Sequence, residues 1–301
     1  TFSAMASMEN ANVLMFGGFD SDERKILGDT WKFELNTHDW TPITVSISTS
    51  PTPRSSHAMA SLRNGKVVMF GGTDGYRNNA DTWMFDQSTK DWTKIIPSTS
   101  TPSARVSHAL SSLLMGVVLM FGGYDGKSET FSDTWTFHVN TTEWTKINIS
   151  TPTSPTARYG HAMAQLDSGN IMLFGGYADQ PTGDNGGTWK FDWNTKDWTR
   201  IITGKLPQAR AYHAMSSLGN GIVLVMGGID LTYNSQPLSD SWGFVLTSKH
   251  WIPINSTPTT TSPQARRSHA VSSFGNGIVL FGGLTATGQP LRDTYMLDQT
   301  T

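Results

Sequence analysis

The 301 residues include no cysteine, which excludes disulfides, thiolate metal centres and cysteine nucleophiles. Charge is scarce as well. Asp, Glu, Lys and Arg make up 15 % of the chain, against about a quarter in an ordinary soluble domain. The 22 basic and 24 acidic residues nearly cancel, and no basic run supplies the footprint that grips phosphate backbones, so nucleic acid is not an expected partner. No apolar stretch reaches the roughly eighteen residues that cross a membrane as a helix, and the first residues lack the charged start and apolar run of a signal peptide. No membrane insertion is expected. Also missing are His-Glu-x-x-His, a nucleophile-elbow serine and a phosphate-cradling glycine loop; Gly219-Asn220-Gly221 reads as a hairpin turn. A non-catalytic chain without metal or cofactor is the expectation.

What is present is repetition. An apolar run ends in a double glycine six times, at Gly17, Gly71, Gly122, Gly175, Gly227 and Gly282, in steps of 54, 51, 53, 52 and 55 residues. Length alone suggests about two domains, but a period near fifty built of strand-length pieces is the signature of propeller blades. The expectation is therefore all-β: one domain over 1–301, a six-bladed β-propeller of four-stranded antiparallel blades. Its blades cover approximately 1–45, 54–97, 105–149, 158–202, 210–255 and 266–301.

The second repeat predicts four strands in order: 56–62, 66–70, 81–86 and 91–95. Asn64-Gly65 between the first two is a strong hairpin signal, because both residues tolerate the positive φ of a type I′ turn; Asn220-Gly221 and Asn276-Gly277 stand at the same place. The two Trp residues of a repeat are nine apart every time (31/40, 83/92, 135/144, 189/198, 242/251), and His and the first glycine fourteen apart, with one thirteen. Both hairpins in a blade thus have fixed length, and no blade carries the long private insertion of an enzyme site.

Ala-Arg-x-x-His-Ala, then Phe-Gly-Gly, Asp-Thr-Trp and Trp-Thr, recurring along the whole chain, resemble the kelch repeat. The resemblance implies four-stranded blades around a central channel, first strand innermost. It does not imply one activity, since the fold hosts adaptors, scaffolds, carbohydrate-related proteins and a few enzymes. The ends depart from a full ring. Ser3 falls in the His slot of the first repeat, Tyr295 replaces the first Trp of the last, and the second Trp of that blade would fall at about position 304. The last blade is expected to lack its outer strand in this chain, and the chain is expected to be part of a larger polypeptide.

Arg54, Arg105, Arg158, Arg210 and Arg266 each precede a His by three residues. At the start of the innermost strand such an Arg could grip a carboxylate with its forked donors, as arginines at this slot do in kelch adaptors that resemble this pattern, or it could pair within the scaffold with Asp29, Asp81, Asp133, Asp240 or Asp293; the fourth blade has Gly187 in that place. On the ligand reading, Arg158→Ala with Arg210→Ala weakens binding and leaves the ring folded. His57, His108, His161, His213 and His269 are spread round a circle, whereas a metal needs ligands converging on one point, so they read as structural. The regular Trp residues read as inter-blade packing; Trp193 lies outside the pattern and is expected as a surface contact.

Function is expected where repeats differ. The pairs after each constant Arg (Ser55-Ser56, Val106-Ser107, Tyr159-Gly160, Ala211-Tyr212, Arg267-Ser268) and the loops after the double glycines bring Tyr76, Tyr124, Tyr159, Tyr177, Tyr212 and Tyr233 toward one face. With the five arginines, these are the expected ligand-binding residues, for aromatic and Arg anchors contribute most binding energy. The function expected is a protein-interaction scaffold with a protein or peptide partner, acidic in character. The alternative is a carbohydrate-binding or sialate-mutarotase-like propeller, holding a small sugar in a deep pocket. The composition leans toward an extracellular or cell-surface setting, and three sequons (Asn140, Asn148, Asn255) would accept glycans there.

Overall fold

The computed structural model describes all residues except 47–48, 115, 151–153, 168, 179–183, 233–234, 255–261, 276 and 299–301. Tyr233, the loop residue Asp179 and the Asn255 sequon lie outside the described residues.

Six antiparallel blade sheets succeed one another along the chain, each built of sequence-adjacent strands, and two short two-stranded sheets accompany them, Arg158–Tyr159 with Tyr177–Ala178 and Arg210–Ala211 with Ile229–Asp230. Blade 1 is Ala4–Ser7, Asn12–Asp20, Lys25–Glu34 and Asp39–Ile43; blade 2 is Ala58–Arg63, Lys66–Phe70, Thr82–Asp86 and Asp91–Ile95. Blade 3 is Ala109–Leu114, Val117–Phe121, Thr134–His138 and Glu143–Ile147; blade 4 is Ala162–Asp167, Asn170–Phe174, Thr188–Asp192 and Asp197–Arg200. Blade 5 is Ala214–Gly219, Ile222–Met226, Ser241–Val245 and His250–Ile254, and blade 6 has three strands, Ala270–Phe274, Gly277–Phe281 and Thr294–Asp298. Among the described residues the one helical piece is a 3₁₀ turn, Asp184–Gly186, and no helix is long and apolar enough to cross a membrane.

Local chemistry accounts for the turns. Asn64-Gly65 and Asn220-Gly221 all have positive φ and close two-residue hairpins whose flanking pairs are Arg63 with Lys66 and Gly219 with Ile222. The double glycines do two jobs. At Gly122, with φ +66°, an added Cβ would stand 2.6 Å from the Arg158 carbonyl and 2.8 Å from the His161 ring, so only glycine admits the next blade so closely.

The core lies between blades. The outer Trp of each of blades 1 to 5 leans on the Phe of its own third strand and on the second strand of the preceding blade, as Trp144 does on Phe137 and Phe70 at 5.3 and 5.1 Å. Its indole N–H donates to a Thr hydroxyl of that preceding blade, Trp144 to Thr82 at 2.8 Å. Blade 1 closes the ring on blade 6 by the same bond, Trp40 to Thr294 at 3.0 Å.

Candidate functional site

Each constant Arg begins where the chain crosses from one blade to the innermost strand of the next. Arg54, Arg105, Arg158 and Arg210 are 0 % exposed and Arg266 2 %. The guanidinium groups of Arg105, Arg210 and Arg266 clasp Asp133, Asp240 and Asp293 in two bonds of 2.6–2.9 Å. Arg54 holds Asp81 in the same way at 2.7 and 3.0 Å and donates its remaining three N–H groups to the Gly71 carbonyl and to the Thr52 carbonyl and hydroxyl. Arg158 binds the Gly175 and Thr156 carbonyls and the Thr156 hydroxyl. This is the scaffold role among the two expected of these arginines. A ligand carboxylate reaches such a fork only by displacing the protein's own partners.

The histidines sit beneath the same face, 5–7 % exposed. Four lie edge-on to a Phe of the preceding blade, His108 on Phe70 at 5.6 Å. Among the described residues their ring nitrogens have no partner at hydrogen-bond geometry, although a backbone carbonyl of the preceding blade lies close to each ring and opposes part of the effect of burial. Burial, then the adjacent Arg charge, depresses His57, His108, His161 and His269 to about 3; His213 is lowered well below its ordinary value for the same reasons. They are neutral packing groups, and among the described residues no cluster of His, Cys, Asp and Glu could hold a metal ion.

Above the histidines the channel mouth is drawn shut by backbone. Phe2, Ser56, Ser107, Gly160, Tyr212 and Ser268, one from each blade, all have positive φ, 53–66°. Each donates its N–H to the carbonyl of the equivalent residue one blade back: Ser56 to Phe2, Ser107 to Ser56, Gly160 to Ser107, Tyr212 to Gly160, Ser268 to Tyr212 and Phe2 to Ser268, at 2.7–3.1 Å. These six bonds form a closed cycle. The cavity left at the mouth is about 120 Å³, well below the roughly 300–1,000 Å³ of a small-molecule pocket. What this face offers is a broad surface around a nearly closed pore.

Four of the expected tyrosines come together on that surface. Tyr159 and Tyr177 are cross-strand partners in blade 4, and their rings stack at 5.2 Å and 25°. Tyr124 of blade 3 tilts against Tyr159 at 5.4 Å, and Tyr212 of blade 5 meets Tyr177 at 5.9 Å. Phe2 adds an edge contact to Tyr212 at 6.1 Å. All four tyrosines are half-buried. Burial, reinforced by Tyr159 and Tyr177, pushes Tyr212 up to about 12, against the opposing influence of the Ser107 hydroxyl and Arg267; Tyr177 is raised too, first by burial, with Arg267 again opposing. Arg267 is half-buried and, unlike the constant arginines, its guanidinium makes no hydrogen bond or ion pair among the described residues. A stacked aromatic platform therefore lies beside the Arg267 cation.

The KLHDC2/KLHL20/DRC7 Kelch-repeats domain matches residues 1–168 and 116–301, so that the two matches together take in every residue. The chain belongs to the kelch-repeat family. Its relatives include Tip elongation aberrant protein 1 of Schizosaccharomyces pombe, 31 % identical over 88 % of this chain and 28 % of that protein. Kelch domain-containing protein 2 of Bos taurus is 31 % identical over 48 % of this chain and 35 % of its own length. Kelch domain-containing protein 3 of Homo sapiens is 28 % identical over 77 % and 64 %. The kelch propeller described here thus spans between about a quarter and two thirds of the length of these relatives. Kelch propellers typically serve as protein-interaction modules and are generally non-catalytic.

Other expected residues of this kelch propeller lie apart from the tyrosine cluster. Tyr76 is 98 % exposed at a loop tip and makes no ring contact with the other described tyrosines. Trp193 corrects an expectation: it is half-buried and, like Val117, Ile147 and Ile149, packs against the core between blades 3 and 4, with its ring 6.1 Å from that of His138 in blade 3. The loop carboxylates Asp20, Asp74 and Asp125 accept their own loops' backbone N–H groups, which lowers all three carboxyl groups and commits them to turn geometry. Phe2 was not among the expected residues of the site, and Arg267 was expected only as a member of the variable pair after the fifth constant Arg, not as a binding residue in its own right. Arg267 carried a legible signal, a second cation directly after a constant one; Phe2 carried none, since its place in the cycle follows from ring closure.

Proposed function

We propose that this kelch propeller is a non-catalytic binding module that takes an extended, acidic peptide segment across the face bearing Tyr124, Tyr159, Tyr177 and Tyr212. The reading rests on one observation, the guanidinium of Arg267, unpartnered among the described residues, beside a stacked tyrosine platform. Aromatic rings present large contact area at low entropic cost, and Tyr and Arg are the residues that dominate binding energy at interfaces. Arg267 pairs a ligand carboxylate, and the tyrosines cover the flanking residues. The backbone cycle beneath supports the platform and keeps the ligand on the surface.

A display library of random peptides selected on the immobilised chain tests this. Acidic sequences are expected to be enriched, and the double variant Tyr159→Ala with Arg267→Ala to bind them about thirty-fold more weakly, with Tyr76→Ala unchanged. Selection of neutral or basic peptides, or undiminished binding by the double variant, refutes the reading.

A further inference from the structure

Where the chain crosses into blades 2, 3 and 4, a carboxylate of the blade being entered staples the crossing down. The carboxylate belongs to the residue directly ahead of the outer Trp. Asp91 accepts the Thr49 hydroxyl at 3.1 Å, and Asp197 accepts the Ser150 N–H and hydroxyl at 3.0 and 2.6 Å. Glu143 accepts four donors, the N–H and hydroxyl groups of Ser98 and Thr99, at 2.6–3.1 Å. These bonds, the Ser98 hydroxyl's foremost, hold the Glu143 carboxyl down at about 2.

The crossing into blade 5 keeps the donors and lacks the carboxylate. His250 stands ahead of Trp251, with its Nδ1 on the Ser248 carbonyl; a carbonyl only accepts, so the imidazole is a donor there and brings no negative charge. Ser98 and Ser150 lie three residues beyond the Ile of a Trp-Thr-x-Ile run, and the same count from Ile201 reaches Gly204, followed by Lys205. Among the described residues the Gly204 and Lys205 N–H groups make no hydrogen bond, and the Thr203 hydroxyl oxygen is buried without a partner. The Lys205 ammonium lies 5.4 Å from the centre of the Trp242 ring, with no carboxylate paired to it among the described residues. On either side of these donors Ile202 is 78 % and Leu206 44 % exposed.

We propose that residues 202–206 form a second docking site, using none of the platform tyrosines, for a carboxylate side chain of a partner protein that has apolar neighbours. That carboxylate takes the place Glu143 fills in the crossing into blade 3. It accepts the Gly204 and Lys205 N–H groups and the Thr203 hydroxyl, with the Lys205 charge beside it, and the apolar neighbours cover Ile202 and Leu206. An ionised acceptor is selected over a neutral amide because each bond to it is roughly twice as strong.

The test uses the 301-residue chain and a fluorescently labelled peptide, Ala-Leu-Asp-Leu-Ala, blocked at its C-terminus. Saturable binding is expected, about tenfold weaker with Asn in place of the peptide Asp, and amide exchange at Gly204 and Lys205 should slow in the complex. His250→Glu restores a carboxylate of the chain's own: it should slow the same two amides without peptide and weaken peptide binding about tenfold. Lys205→Gln should weaken it about threefold. Equal affinity for the Asp and Asn peptides, no saturable binding, or full binding by His250→Glu overturns the proposal. Inorganic phosphate that displaces the peptide at equal concentration overturns it too, by assigning the site to a free anion.

Discussion

Lowering the pH from 7.5 to 5 should unfold this propeller, or nearly so, through its five buried histidines. In the unfolded chain each imidazole takes up a proton near its ordinary value of about 6.5; in the folded ring four wait until about 3 and His213 is likewise well below its ordinary value. A depressed histidine leaves the unfolded state binding more protons, so stability is intact above about pH 6.5 and falls as the pH drops toward 3. At pH 5 the loss is about 2 kcal/mol for each of those four, about 8 kcal/mol together, with His213 adding in the same direction, comparable to the ~5–15 kcal/mol that holds an ordinary domain together. The carboxylates do not offset this, because Asp81, Asp133, Asp240 and Asp293 are held below the usual carboxylate range and stay ionised at pH 5. Urea unfolding followed by tryptophan fluorescence at half-unit steps should show stability falling with a slope approaching five protons, and His108→Gln should reduce that slope by one. Stability that is flat between pH 7 and 5 would refute the reasoning.

Arg105→Ala should cost about 3–5 kcal/mol, because it strands a largely buried Asp133 carboxylate and leaves the Gly122 carbonyl without its donor; chemical denaturation measures it, and a loss below about 1 kcal/mol would contradict the scaffold role. The same logic predicts that Arg158→Ala with Arg210→Ala damages the fold itself, seen as lost cooperative unfolding. Ser268→Gly should stabilise by about 1–2 kcal/mol, since it relieves a positive φ of 55° and removes a buried hydroxyl without a partner; calorimetry would show a raised Tm, and a lowered one would mean that the hydroxyl is satisfied in solution.

The architecture was legible in the repeat alone. A fifty-residue period, fixed nine-residue Trp spacing and Asn-Gly turns are local signals, and local chemistry settles strand lengths and hairpins wherever the turn admits only a few residue types. The sequence also marked the face on which unlike residues gather, because departures from a repeat are visible against it. The structure decided what each repeated charge does. Whether an Arg faces solvent or a carboxylate of its own blade, 27 residues away for Arg54 and Asp81, depends on how two strands are set side by side, and no spacing rule reports that. The backbone cycle at the channel mouth belongs wholly to the tertiary level, for each bond joins residues one blade apart and the last, from Phe2 to Ser268, joins the two ends of the ring. The same closure brings Tyr124, Tyr159, Tyr177 and Tyr212 from three blades onto one platform, since radial packing carries every blade's first strand to a common axis.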